Sequence, residues 1–186
     1  MTGALRSPRR WSVAEYLEFE ETATERHEFV DGVVYAMVGG SDRHNLITGN
    51  LFIALGNHLP DRCQVFEHAM KLRVSIEKSE LFFYPDVLVT CSDHDSAQLF
   101  RERPILIAEV LSHSTERSDR TDKFAVYKGI AELQEYVLIA QDVPQIEIFR
   151  RRNAWRLETY FMDDTITLES VELTLPVVQL YRRVTF

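Results

Sequence analysis

Pro104-Ile105-Leu106-Ile107-Ala108-Glu109-Val110-Leu111 is an apolar run with a single carboxylate inside it. A short run rich in Ile, Leu and Val reads as a strand covered on both faces. Glu109 is out of place there. An unpartnered buried carboxylate costs several kcal/mol even after relaxation, so its presence predicts a partner. Upstream, Tyr84-Pro85-Asp86-Val87-Leu88-Val89 sets Asp86 in similar surroundings. The two acids are 23 residues apart. That separation suits neighbouring strands of one sheet, with side chains converging on one divalent metal ion. Two plainer readings stand beside this one: each acid pairs with an Arg or Lys, or Asp86 caps a turn after Pro85.

Working outward on the C-terminal side, Ser112-His113-Ser114-Thr115 is a short connection into a predicted helix over about Thr115–Ile130. Asp119, Lys123 and Tyr127 recur there at i, i+4 and i+8 and form one polar stripe. A solvent-facing stripe with an Asp119–Lys123 pair accounts for it. The sharper account packs this helix beside Glu109 and delivers Lys123 to the acids. Further strands are predicted near Glu135–Ala140, Gln145–Arg150 and Ala154–Tyr160, with a short helix at Pro176–Tyr181.

On the N-terminal side, Ser12 and Glu15 make a capping box for a first helix. His27–Val38 reads as a hairpin turning at Asp31-Gly32. Glu28 lies in that hairpin, either as an exposed strand acid or as a third carboxylate. Ser41 or Asp42 can cap a second helix running to about Leu59, and strands follow at Gln64–Ile76 and Leu81–Thr90. The order predicts one α/β domain spanning residues 1–186, a mixed sheet flanked by helices (α+β in character) rather than a strict βαβ repeat.

The 186 residues are 45% hydrophobic, which suits a folded domain with a sizeable core. No run approaches the ~20 apolar residues of a membrane helix. The basic stretch Met1–Arg10 lacks the apolar segment of a secretory signal. Cys63 and Cys91 lie in no CxxC pair and read as reduced thiols of a cytoplasmic protein. The formal net charge of −8 argues against coating nucleic acid by bulk electrostatics. Arg6, Arg9 and Arg10, and Arg150, Arg151, Arg152 and Arg156, read as solvated surface clusters. Dinucleotide, P-loop, GxSxG and zinc-finger spacings are all absent.

The ordered set Glu28…Asp31-Gly32, Met37, His44…Ile47…Leu51, Pro85-Asp86-Val87, Glu109-Val110-Leu111-Ser112…Ser114-Thr115, Asp119…Lys123…Tyr127 and Glu135-Tyr136 resembles the PD-(D/E)XK nuclease superfamily. More narrowly it resembles the Uma2 family (DUF820) of restriction-endonuclease-like proteins, over roughly residues 15 to 150. In most of the superfamily the lysine stands two residues after the strand glutamate. That position is Leu111 here, and Lys123 fits a lysine moved onto the next helix. His113 stands where the family usually has proline.

The resemblance implies a restriction-endonuclease-like core and a metal-dependent DNA endonuclease. It implies Mg²⁺ or Mn²⁺ held by Asp86, Glu109 and the backbone carbonyl of Val110, hard oxygen ligands that suit such ions. Lys123 is then expected to orient the attacking water and Tyr127 to bond that water or the phosphate. Glu28 is expected to hold a second ion or a water. His44 either reaches a phosphate or is a structural histidine. A homodimer is a further expectation. Three rivals remain: a degenerate domain that binds nucleic acid or protein without cutting, a metal enzyme acting on a small molecule in a closed apolar pocket, and an interaction protein.

Overall fold

The computed structural model describes residues 9–93, 95 and 97–186. Arg6 lies outside them. Helix α1 (Val13–Thr22) starts at the Ser12 capping box as the sequence predicts. Strands β1 (His27–Val30) and β2 (Val33–Ala36) form the hairpin. Asp31 and Gly32 both have positive φ, 46° and 86°, the combination that a tight two-residue hairpin turn demands and that an Asp-Gly pair supplies. Helix α2 (Asp42–His58) takes Ser41 as its N-cap.

The next two predicted strands each prove to be two. Gln64–Ile76 divides into β3 (Gln64–Glu67) and β4 (Lys71–Ile76), and Leu81–Thr90 into β5 (Ser79–Phe83) and β6 (Val87–Thr90). The first break is a turn in which the Met70 N–H donates to the Glu67 carbonyl, 3.0 Å. It contains neither Gly nor Pro and so left no mark in the sequence. The second falls at Pro85, which has no N–H to give a sheet ladder. Both breaks are crossings between sheets. After β7 (Phe100–Arg101) and β8 (Leu106–Leu111) come α3 (Glu116–Ser118), a π-helical turn over Asp119–Lys123, and α4 (Phe124–Tyr127). Strands β9 (Glu135–Ala140), β10 (Gln145–Arg150) and β11 (Leu157–Phe161) follow. The last starts later than predicted because Ala154 and Trp155 turn through positive φ. A hairpin that the sequence did not suggest, β12 (Thr165–Leu168) and β13 (Leu173–Pro176), precedes α5 (Val177–Leu180).

The fold class is the expected mixed α/β, but its strands make two principal sheets rather than one. A five-stranded sheet has the order β2-β1-β5-β4-β7, and a six-stranded sheet the order β11-β10-β9-β8-β6-β3. In the latter only β8 and β9 are parallel, joined over residues 112–134 by the crossover that contains α3 and α4. Strand β8 is buried at all six positions, as its apolar run predicts. Leu106, Ala108 and Val110 face α2 through Ile47, Leu51 and Leu55. Ile107 and Leu111 face the opposite layer with Tyr127 and Tyr136. Glu109 lies between those two at the two-residue period and therefore projects into that second layer.

Two expectations are corrected. Cys63 and Cys91 form a disulfide instead of remaining thiols. The β3–β6 register pairs Gln64 with Thr90, so one step further Cys63 stands opposite Cys91. The pairing removes the cysteine argument for a reducing compartment. The arginine cluster near residue 150 is only in part a solvated patch: Arg152 and Arg156 are exposed, but Arg150 and Arg151 are drawn into the fold. Arg150 is 2% exposed, sits opposite Glu135 in the β9–β10 register and donates to it at 2.9 Å. Glu135 also accepts from the Ser170 N–H at 2.7 Å, which ties the β12–β13 hairpin to the sheet. Arg151 donates to the Leu133 carbonyl at 2.7 Å, and Arg152 pairs with Glu169. No helix among the described residues is long and apolar enough to cross a membrane.

Candidate active site

Register brings the two acids together. β6 and β8 are antiparallel with Val87 opposite Ala108, so one step further Asp86 meets Glu109. The Asp86 N–H donates to Glu109 Oε2 at 3.2 Å, and the Val110 N–H donates to Asp86 Oδ2 at 2.7 Å. The same register would next set Val110 opposite Pro85. The Val110 N–H points to the β6 side, where it meets Asp86, so this is a position at which N–H and C=O both face the neighbouring strand. Proline has no N–H, so Pro85 cannot occupy the Val110 carbonyl. The Pro-Asp sequence therefore ends the ladder, turns Asp86 onto the edge of β8, and leaves a backbone oxygen without a ladder donor on that side.

The helical segment 116–127 supplies the rest. Asp119, Lys123 and Tyr127 are 1%, 5% and 0% exposed, so the solvent-facing stripe is excluded. The π-helical turn between Asp119 and Lys123 is a wider coil of a kind that recurs at functional sites. Lys123 Nζ lies 3.0 Å from Glu28 Oε1, 3.4 Å from Glu109 Oε1 and 3.3 Å from Asp119 Oδ1. Tyr127 donates its hydroxyl to Glu109 Oε1 at 3.1 Å, so it holds that carboxylate from beneath instead of meeting solvent. Tyr136 donates to the Asp119 carbonyl at 3.0 Å and pins the π turn.

Every predicted site residue thus converges, and two more join them. His44, from the first turn of α2, bonds Asp86 Oδ2 through Nε2 at 3.1 Å. The sequence allowed it either a phosphate contact or a structural role, and its partner was hidden because nothing in the sequence links residue 44 to residue 86. Asp119 was visible as a helical partner of Lys123, a spacing that surface pairs share.

The electrostatics are strained by design of the donor set. Four carboxylates, Glu28, Asp86, Glu109 and Asp119, face one ammonium and one imidazole. Burial drives the Glu109 carboxyl well above the usual range; Lys123 opposes this, and the neighbouring acids add to it. Burial likewise raises Asp119 against the pull of Lys123. For Lys123 burial favours the neutral amine, but Glu109, Glu28 and Asp119 outweigh it and hold the group charged well beyond its ordinary range. For His44 burial is outweighed by the bond and charge of Asp86, with help from Asp119, so its pKa rises.

These residues fit a hard divalent cation. Among the described residues no three His, Cys, Asp or Glu side chains form a metal-chelating group. The candidate is a pair of carboxylates and a backbone oxygen, and Mg²⁺ is commonly held by one or two carboxylates while keeping several waters. Two buried oxygens, Glu28 Oε1 and Asp119 Oδ1, have no hydrogen bond of good geometry despite their nearness to Lys123. The cluster is therefore short of positive charge. Surface cavities of about 310 and 210 Å³ are lined by residues other than these acids.

The model of the Uma2 family, described as "Putative restriction endonuclease", matches residues 13–179. "Uncharacterized protein slr1290" of Synechocystis sp. is 35% identical over 179 residues, covering 94% of this chain and 93% of its own. "Uncharacterized protein sll1609" of the same organism is 40% identical over 144 residues, covering 75% of this chain and 80% of its own. The crystal structure of "a putative nuclease belonging to DUF820" from Anabaena variabilis superposes with a TM-score of 0.76, covering 92% of this chain and 98% of that one. At 17% identity that likeness is one of fold.

Proposed function

The chain belongs to the Uma2 family, and on that premise we propose that it is a metal-dependent DNA endonuclease that hydrolyses phosphodiester bonds, with residues 1–186 acting as one domain. The observation that carries this reading is the meeting of Asp86, Glu109 and Lys123 where the β6–β8 ladder ends, all within a cluster poor in positive charge. Asp86, Glu109 and the Val110 carbonyl would hold Mg²⁺ or Mn²⁺. Bound there, such an ion supplies Lewis-acid charge to a phosphate oxygen and makes a water more acidic.

The remaining steps belong to the chain's own side chains. Lys123 orients the attacking water and offsets the charge that grows on the phosphate oxygens. Glu28 and Asp119 keep its ammonium charged and aimed at Glu109. Tyr127 fixes the Glu109 carboxylate, and His44 with the Val110 N–H fixes that of Asp86. The acids also explain how a chain of net charge −8 approaches a polyanion, because the site attracts cations before it attracts phosphate.

Plasmid nicking tests the reading. Wild-type protein should cut supercoiled DNA with Mg²⁺ or Mn²⁺ and not with EDTA. Lys123→Ala and Glu109→Gln should each lose at least about a hundredfold, the scale of one transition-state contact. Equal cleavage by the variants would remove the catalytic assignment. Wild type that binds DNA without cutting it would favour the degenerate, binding-only domain.

A further inference from the structure

Strand β11 ends the six-stranded sheet on one side, and its outer edge is open. The Phe161 N–H donates to Asp164 Oδ2 at 2.7 Å, and the Phe161 carbonyl accepts from the Asp164 N–H at 2.9 Å. Phe161 therefore turns its backbone groups away from β10. Along an antiparallel strand these groups face one side and then the other in alternation, so Thr159 and Leu157 point theirs outward as well. Neither finds a backbone partner on that side among the described residues. Edge strands are commonly blunted by a proline, a lysine or a bulge. Leu157–Phe161 contains none of these, and its register with β10 is unbroken.

The side chains follow the same pattern. Register places Leu157 beside Phe149, and Phe149 beside Tyr136, in one apolar row on the face that bears Glu109. The row runs out of the core and stops at Leu157, which is 53% exposed. Phe161, on the same face, is 57% exposed, and Thr159 lies exposed between them. Glu158 points to the other face, where it pairs with Arg150. The exposed face of β11 thus carries no charge. Charges stand at its ends instead: Arg156 precedes the strand and Asp163 follows it. Both are exposed, and neither is in an ion pair among the described residues. The far edge of the sheet differs, since β3 exposes Gln64 and Glu67.

We propose that β11 pairs antiparallel with β11 of a second copy of this chain, across a two-fold axis at Thr159, and joins the two six-stranded sheets edge to edge. A two-fold contact must be self-complementary, and this strand is. In that register the Thr159 residues exchange backbone hydrogen bonds, Leu157 of each copy meets Phe161 of the other, and Glu158 meets Tyr160. Centring the axis on Glu158 would set like charges face to face. Antiparallel pairing also brings the Arg156 end of each copy to the Asp163 end of the other, whereas parallel pairing would set like with like. An uncharged contact face suits a chain of net charge −8, for which association elsewhere meets repulsion. Directly opposed residues share a face, so the Glu109 faces of both copies open on the same side of one continuous sheet. Dimerisation of this kind is independent of the nuclease reading.

Sedimentation equilibrium across the micromolar range tests this on the full chain. Wild type should pass from monomer to dimer and no further. Thr159→Pro removes only an N–H that points to the open edge, and Leu157→Lys puts a charge in the contact. Each should weaken dimerisation at least about tenfold, with thermal melting to check that the variants are folded. Thr159→Cys should cross-link to itself through a short bis-maleimide, while wild type, whose two cysteines are paired, should not. A wild type that stays monomeric throughout would overturn the proposal. So would a dimer that both folded variants leave intact, or a Thr159→Cys dimer that does not cross-link.

Discussion

Glu109 and Lys123 carry opposite consequences for stability, and the difference separates chemistry from packing. Among the described residues, Lys123 is the only ammonium within reach of three buried or half-buried carboxylates. Lys123→Ala should therefore destabilise the protein by about 3–5 kcal/mol in chemical denaturation, because it strands those charges. Glu109→Gln removes a carboxylate whose ionised form burial disfavours. Its denaturation midpoint should match or exceed that of wild type while nicking is lost. A large loss of stability in Glu109→Gln would mean that the acid serves the fold. The sequence disclosed Glu109 and Asp86 because a charge in an apolar strand is conspicuous. Lys123 and Tyr127 were disclosed by their helical spacing. His44 was not assignable, since its partnership with Asp86 spans 42 residues and two elements.

At the scale of elements, local signals were read where backbone chemistry is local. The Ser12–Glu15 box, the Asp31-Gly32 turn and the Ser41 cap all formed. The box makes a direct prediction. Hydrogen bonds from the Ser12 N–H and hydroxyl, with help from Arg9, hold the Glu15 carboxyl down at about 2. A depressed acid contributes stability above its unfolded value, and that contribution is lost as pH falls from about 4.5 towards 2. An NMR titration of Glu15 should show the low midpoint, and Ser12→Ala should return it towards 4.5. The same substitution should cost about 0.5–2 kcal/mol. A normal midpoint in wild type would remove the box. The π-helical turn and the bend at residues 68–70 were hidden because their sequences contain no residue that excludes a regular element. Tertiary contacts, such as the Tyr136 bond to the Asp119 carbonyl, select them instead.

Across the whole molecule, the division into two sheets was the least legible feature. Two of the crossings between them, β3 to β4 and β5 to β6, interrupt stretches that read as one strand, and only Pro85 marks a break. The second crossing also places Asp86, so the architecture and the site share one cause. The disulfide joins edge strand β3 to β6, the strand that follows Asp86. Closing a loop between residues 28 apart should stabilise the fold by about 2–4 kcal/mol. Urea denaturation with and without reductant measures this, and Cys63→Ser should copy the reduced protein. Equal midpoints would show that the bond leaves the folded state's stability unaltered.

The central claim is that Asp86 and Glu109 form a divalent-metal site, and binding of Mn²⁺ followed by electron paramagnetic resonance tests it without any assumption about substrate. The account predicts that wild type depletes the free-ion signal saturably and that Asp86→Ala, folded by thermal melting, does not. Binding undiminished in Asp86→Ala, or none by wild type, would contradict it.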